Sequence, residues 1–355
     1  MANTGKTHSV NEVETHNPAF EEQDEITQIN GNNPPNSTAI NIPSAESEQD
    51  GSAERNGGNS EIPILFPDEL LKTGISFLVL ILGFLITSIS LSITHERMPD
   101  YPPLPDVFLD NAPYKEWGLD VSEYIIVCLT LSAVILVLFH KHRAIVTRRI
   151  FLITGILYGY RGLTMYITVL PKPNPEYYCS PKLNSTITFL EVMSRTLKIM
   201  TSGGLGITGD QVYCGDFIFS GHTMILLLAF LAVREYSPKK WWFLHGVAIL
   251  CVVAGVIFLL LARGHYCIDV LLAYWVTTRI WWTYHTSACH THLKAYSEHN
   301  YIGNMWWWHV FRYFECNIGG PLPKAYTVPL PARAKDWIYA KFTNRSGYID
   351  IDDQA

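Results

Sequence analysis

The chain has 355 residues, of which 48% are hydrophobic and only 16% are charged. This composition excludes a disordered, collagen-like or small disulfide-stapled protein. The net charge of −6 is unevenly distributed, because residues 1–70 carry thirteen acidic side chains against Lys6 and Arg55. The remaining positive charges lie in short clusters between apolar runs, unlike the basic stripe of a nucleic-acid-binding protein. We therefore expect a membrane protein with no nucleic-acid partner.

Residues 1–70 are rich in Asn, Ser, Gly, Pro and Glu and contain few large apolar side chains. They cannot bury enough surface to offset the entropy of folding, so we expect a disordered, acidic cytosolic tail. The start of the chain has no positive charge followed by a short apolar run. We therefore expect no cleavable signal peptide, and the first membrane segment should direct insertion.

Six apolar segments follow the tail. The first, residues 73–94, has 22 residues without a charge. At about 1.5 Å per residue, it can cross roughly 30 Å of hydrocarbon. The other five segments are 121–139, 150–170, 217–233, 241–262 and 267–284. The sequence thus predicts an all-α, polytopic membrane protein with a six-helix transmembrane catalytic domain over 71–285 and a cytosolic C-terminal tail over 286–355.

The short loops after the second and fourth segments carry most of the basic residues between the spans. These residues are Lys141, Arg143, Arg148, Arg149, Arg234, Lys239 and Lys240. Because cytosolic loops carry an excess of Lys and Arg, both loops and both termini should be cytosolic. Residues 95–120, 171–216 and those around Gly264 should then face the opposite side. There an oxidising compartment could join Cys179 to Cys214, which the sequence leaves open, and Asn184 could carry a glycan.

Two motifs place ionisable residues at membrane depth, where such residues are costly and tend to be functional. They are CGDFIFSGHT (214–223) and RGHYCIDV (263–270), and the loop charges put both on the non-cytosolic side. In the first motif Asp216 and Ser220 precede His222, which should lie about one and a half turns into the fourth span. The free N–H groups at a helix start favour an anion, so this segment is typical of a phosphate site.

In the second motif His265 and Asp269 are four residues apart, the spacing that puts two side chains on one face of a helix. A carboxylate bonded to one ring nitrogen fixes the tautomer and leaves the other nitrogen as a nucleophile. A second histidine, His222, could act as acid and base across the same pocket. The sequence therefore predicts phosphoryl transfer through a phosphohistidine.

Both motifs resemble the signature of the sphingomyelin synthase family, which is related to the lipid phosphate phosphatases. Two further stretches agree, HERMPDYPPLPD (95–106) and YRGLTMYITVLP (160–171), and the resemblance covers roughly residues 75–315. It implies a lipid phosphate phosphatase-like core that transfers phosphocholine from a phosphatidylcholine donor to a ceramide acceptor, with no metal, nucleotide or other cofactor. It also implies that His222, His265 and Asp269 are catalytic, with the active site lumenal or extracellular in the Golgi or plasma membrane.

Five further residues are candidates for binding the substrate. Arg161 and Arg263 could hold the phosphate, Asp106 and Asp216 could attract the choline cation, and Ser220 lies beside His222. The chain departs from the family at Arg263 and Gly264, where many relatives carry His and Glu. That departure leaves open whether the headgroup is choline or ethanolamine.

Three alternative functions remain at this stage: ceramide phosphoethanolamine synthesis, hydrolysis of a lipid phosphate or phospholipid, and the non-catalytic role of a transporter or lipid-binding membrane protein. A hydrolase of the phosphatase group should carry a Lys/Arg-rich motif before Asp216, and a transporter should show inverted repeats. Neither pattern is present in the sequence, so headgroup transfer is favoured. The sequence also leaves open whether the protein forms a homodimer.

Overall fold

The computed structural model describes residues 66–182, 189–203, 213–295, 297 and 299–328. Nearly all of the predicted tail 1–70, the acceptor Asn184 and residues 329–355 lie outside the described residues. The described chain forms ten α-helices joined by loops. They are α1 (Leu70–Arg97), α2 (Val107–Asn111), α3 (Gly118–Phe139), α4 (Arg143–Ile167), α5 (Phe189–Ser202), α6 (Gly221–Tyr236), α7 (Trp242–Leu261), α8 (Cys267–Cys289), α9 (Thr291–Lys294) and α10 (Trp308–Glu315).

Each of the six predicted spans corresponds to one long helix. Within the described ranges, four of these helices, α1, α3, α4 and α7, are long and apolar enough to cross a membrane. The other two do not meet that standard, because α6 has only 16 residues and α8 contains polar residues along its length. The structure therefore shows a helical membrane protein.

α1 and α4 pack against each other along their length, and two glycines bring their backbones together. A Cβ atom on Gly83 would lie 2.2 Å from the carbonyl oxygen of Gly155, so only glycine fits at this crossing. Further along the same pair, the Thr87 hydroxyl donates a hydrogen bond to the Tyr158 carbonyl at 2.5 Å. Small residues and hydroxyl bonds of this kind join helices in membranes, where the hydrophobic effect between helices is absent.

α6 lies at the centre of the bundle and contacts α3, α4, α7 and α8. Eleven of its sixteen residues are buried. The sequence placed the start of this helix at Phe217, but it begins at Gly221, because the Ser220 hydroxyl accepts a hydrogen bond from the Thr223 N–H and caps the helix. His222 therefore lies in the first turn of α6 and not one and a half turns inside it.

The loop after the second span is shorter than predicted, and two of its arginines are buried inside α4. Arg149 forms a two-point ion pair with Glu315 of α10, with N–O distances of 2.9 and 2.6 Å. Tyr284 donates a third hydrogen bond to the same carboxylate at 2.9 Å. The segment after residue 285 is thus not a free tail throughout, because α10 packs on the bundle through this network.

Candidate active site

His265 lies two residues before the start of α8, and its ring is held by Asp269 in the first turn of that helix. The distance from His265 Nδ1 to Asp269 Oδ2 is 2.7 Å, and both residues are buried. The sequence predicted this contact from two residues on one helix face, whereas the structure forms it between a loop and a helix. With Nδ1–H donating to the carboxylate, the lone pair of Nε2 is free to act as a nucleophile.

His222 approaches the free nitrogen of His265 from the neighbouring helix. His222 Nδ1 lies 3.4 Å from His265 Nε2, and the ring centroids are 5.6 Å apart. A backbone hydrogen bond from Ser220 N–H to the Asp269 carbonyl, 3.4 Å long, links the start of α6 to the start of α8. The two sequence motifs are therefore joined both through their side chains and through the backbone.

Glu123 extends the pair of histidines to a row of four side chains, Asp269, His265, His222 and Glu123, and no sequence motif indicated it. Its carboxylate comes from α3, is 1% exposed, and lies 3.4 Å from His222 Nε2. The sequence did contain a signal, since Glu123 is an acidic residue inside a predicted span, where charges mark functional sites. Each histidine thus has a carboxylate on the nitrogen that faces away from the other ring.

Arg161 supplies a positive charge beside the histidines. Its guanidinium forms an ion pair with Asp216 and donates a hydrogen bond to the Phe219 carbonyl at 3.1 Å. Gly221 leaves room for it, because a Cβ at that position would lie 3.0 Å from the guanidinium carbon. In the Ser-Gly-His motif, Ser220 therefore caps the helix, Gly221 admits the arginine and His222 faces His265.

These groups line a cavity of about 410 Å³ at one end of the bundle. α1, α4 and α7 finish at this end, which we call the site end, and α3, α6 and α8 start there. His222, His265, Glu123, Arg161 and Asp216 all line the cavity. The rest of the wall is mostly apolar, as expected for a site that binds a small polar group on an apolar molecule.

Comparison with known proteins decides the family. Residues 213–286, which include both histidine motifs, match the family model described as PAP2 superfamily C-terminal. The chain is 41% identical over 268 residues to phosphatidylcholine:ceramide cholinephosphotransferase 2 of Mus musculus, covering 75% of this chain and 73% of the relative. The chain belongs to this cholinephosphotransferase family. The sequence motifs predicted it under the name sphingomyelin synthase, and that prediction is confirmed.

Other members of the cholinephosphotransferase family match over the same share of this chain. Phosphatidylcholine:ceramide cholinephosphotransferase 1 of Rattus norvegicus is 41% identical over 272 residues, and the Homo sapiens protein of that name is 40% identical over 269. Both matches cover 75% of this chain. The chain spans less than two thirds of the length of these two relatives, 64% and 65%.

Three of the five residues that the sequence suggested for substrate binding do not line the cavity: Ser220, which caps α6, and Asp106 and Arg263. Asp106 caps α2 and accepts a hydrogen bond from Cys267 N–H at 2.8 Å. Burial raises the pKa of the Asp106 carboxyl, but the N–H groups that donate to it outweigh burial and hold the pKa below its usual value. Arg263 has a φ of +50° and donates to the Leu109 carbonyl at 3.0 Å. Asp106 and Arg263 fix the loop before α8, so they position His265.

A disulfide between Cys179 and Cys214, which the sequence left open, joins two loops at the site end. His95, at the end of α1, bonds to both loops. Its Nε2–H donates to the Ser180 carbonyl at 2.9 Å, and its Nδ1 accepts from the Cys214 N–H at 3.0 Å. The disulfide and the buried His95 ring therefore hold the loop that carries Asp216. They fix the position of Asp216 beside Arg161.

Proposed function

We propose that this chain transfers phosphocholine from phosphatidylcholine to the primary hydroxyl of ceramide, giving sphingomyelin and diacylglycerol. The names of its relatives support this substrate pair. The observation that carries the chemistry is the row of four side chains in which Asp269 holds His265, His265 faces His222, and Glu123 holds His222. Such a row provides a nucleophile and a separate proton donor at one phosphorus atom.

In the first half of the reaction, His265 Nε2 attacks the phosphorus of phosphatidylcholine. A nitrogen–phosphorus bond forms, and the bond from phosphorus to the diacylglycerol oxygen breaks. His222 gives its proton to that oxygen, and diacylglycerol leaves. Asp269 stabilises the positive charge that develops on the His265 ring, and Arg161 neutralises charge on the phosphate oxygens.

In the second half, the primary hydroxyl of ceramide attacks the same phosphorus. Its proton passes to His222, the new oxygen–phosphorus bond forms and the nitrogen–phosphorus bond breaks. His265 is thereby regenerated with its Nε2 lone pair, and His222 regains the proton it donated. The transfer needs no external energy because one phosphodiester replaces another.

The hydrogen-bond pattern of the site favours this division of roles. His265 donates through Nδ1–H to Asp269, so its Nε2 can only accept. With Glu123 ionised, the contacts of His222 with both His265 and Glu123 require a proton on each of its ring nitrogens. His222 is therefore the ring prepared to act as the acid, and a phosphate group entering between the rings replaces the 3.4 Å contact.

We further propose six membrane spans, with the site end on the lumenal or extracellular side of the Golgi or plasma membrane and both termini in the cytosol. The basic loop residues at the opposite end of the bundle support this orientation. The disulfide at the site end also supports it, since disulfides form in oxidising compartments.

The test is conversion of labelled ceramide to sphingomyelin by membranes from cells that express the chain, with phosphatidylcholine as donor. We expect product from the unmodified chain and none from His265→Ala. Product at an undiminished rate from His265→Ala would show that the nucleophile is wrong. Release of free phosphocholine without sphingomyelin would instead indicate a hydrolase.

Ceramide phosphoethanolamine synthesis is the second candidate function. The observation that supports it is the glycine at position 264. This glycine lines the cavity next to His265, at the position where the family resemblance implies glutamate, so the wall has no side chain at that point. Assaying phosphatidylethanolamine in parallel, with Gly264→Glu as the comparison, decides between the two headgroups.

A further inference from the structure

The cavity continues away from the histidines as a groove between α1 and α3. Its wall on α3 runs from Glu123 through Val127 to Leu131, and its wall on α1 runs from Leu91 to Phe84. The back of the groove is formed by further cavity residues on α4 and α6. These are Tyr158, Arg161, His222 and Ile225.

The groove exists because α1 and α3 pack on different partners. α1 lies along α4, whereas α3 lies against α6 and α7. Leu131, at the lower end of the groove, is 55% exposed and faces outward from α3. The groove is therefore polar at the site end and mostly apolar below it, and Leu131 leaves its lower end exposed on the outer face of α3.

The depth of the groove can be estimated from α3. Leu131 follows Glu123 by eight residues, which at about 1.5 Å per residue places it roughly 12 Å below the level of His222, room for on the order of ten methylene groups. The same estimate applies to α1, where Phe84 lies seven residues from Leu91 and therefore reaches a similar depth. About the first ten methylene groups of one extended alkyl chain, attached to a headgroup at the histidines, fit this length.

We infer that one alkyl chain of the ceramide acceptor lies in this groove and that ceramide reaches the histidines sideways between α1 and α3. Leu131 and Phe84 then set how much of that alkyl chain is held. The inference rests on the proposed function and names the part of the substrate that the groove takes. Because the alkyl chain moves from the hydrocarbon of the bilayer into an apolar groove, its binding gains little from the hydrophobic effect. Binding therefore depends on how closely the groove packs around the alkyl chain. A bulky side chain that blocks the groove is therefore the sensitive probe.

The first test introduces tryptophan at two depths, with Val127→Trp half-way down the groove and Leu131→Trp at its lower end. Each variant is assayed with ceramides whose chains range from six to eighteen carbons. We expect Leu131→Trp to slow transfer at least tenfold for the longest chains while the shortest react within twofold of normal. Val127→Trp should move the cut-off to shorter chains. The matched control is Ile135→Trp, because Ile135 is also 55% exposed on α3 but does not line the cavity.

An unchanged chain-length profile in both groove variants overturns the inference, and so does an equal loss for short and long chains. A second measurement does not require turnover. A ceramide that carries a photoreactive diazirine near the tenth carbon is irradiated with the unmodified chain and with His265→Ala. Cross-links at 127–131 and 84–91, reduced by excess ceramide, support the groove, whereas cross-links spread over lipid-facing positions such as Ile135 overturn it. Failure of transfer with intact groove cross-links would defeat the proposed function alone.

Discussion

The carboxylate of Glu123 should be essential to His222, and its neutralisation gives the sharpest test of the row of four side chains. In Glu123→Gln an amide of the same shape replaces the carboxylate, so the packing of α3 is kept. The structure puts the carboxylate oxygen 3.4 Å from His222 Nε2, with Glu123 only 1% exposed. At an effective dielectric constant of about 20, a unit charge pair about 4 Å apart attracts by about 4 kcal/mol.

That attraction stabilises the protonated His222 that must donate to the leaving diacylglycerol. If most of it is lost, kcat should fall by a factor on the order of 10² to 10³. The assay is phosphocholine transfer to ceramide by the purified protein, with thermal unfolding in detergent to confirm folding. Asp120→Asn is the matched control, because Asp120 is an exposed carboxylate in the first turn of the same helix. A kcat within threefold of normal for Glu123→Gln would refute the reasoning.

Three further predictions concern the glycines beside the histidines, the buried ion pair of α10 and the disulfide. Gly221→Ala should lower the rate of transfer at least tenfold, because the new Cβ displaces Arg161. Gly264→Ala should be tolerated, because the nearest atom to its new Cβ is 3.5 Å away. Equal activities of the two variants would contradict this prediction. Glu315→Gln should lower the free energy of unfolding by about 3 to 5 kcal/mol, because it leaves the buried charge of Arg149 unpaired. A lower midpoint of thermal unfolding checks this. Replacing Cys179 and Cys214 by serine should remove about 4 kcal/mol of stability for their 35-residue separation; an unchanged unfolding midpoint would show that the loops do not need the bond.

The helical architecture follows largely from the hydropathy pattern. The charge-free run at 73–94 lies inside α1, and 241–262 matches α7 within one residue at each end. The predicted spans at 150–170 and 217–233 begin at the wrong residues, because hydropathy does not register a cap such as Ser220 or a buried ion pair such as that of Arg149. The cap depends on the contact of Ser220 with Thr223, three residues later, and the ion pair depends on Glu315, on a helix far along the chain.

The site was predictable where its residues lie within one motif. Asp269 is four residues after His265, so the spacing alone indicated the contact, although the chain there begins as a loop. Glu123 has no motif around it and reaches His222 from a helix 99 residues earlier. The outward placement of Arg263 follows from its positive φ and its bond to the Leu109 carbonyl, and neither is visible in the sequence.

Trapping the covalent intermediate tests the central claim most directly. The protein is mixed with phosphatidylcholine labelled in its choline group, without ceramide, and quenched in alkali, where a phosphorus–nitrogen bond to histidine survives. We predict label on the peptide that contains His265, its transfer to sphingomyelin when ceramide is added, and no label in His265→Gln. Transfer at the normal rate by His265→Gln, with no labelled protein at any time, would contradict the account.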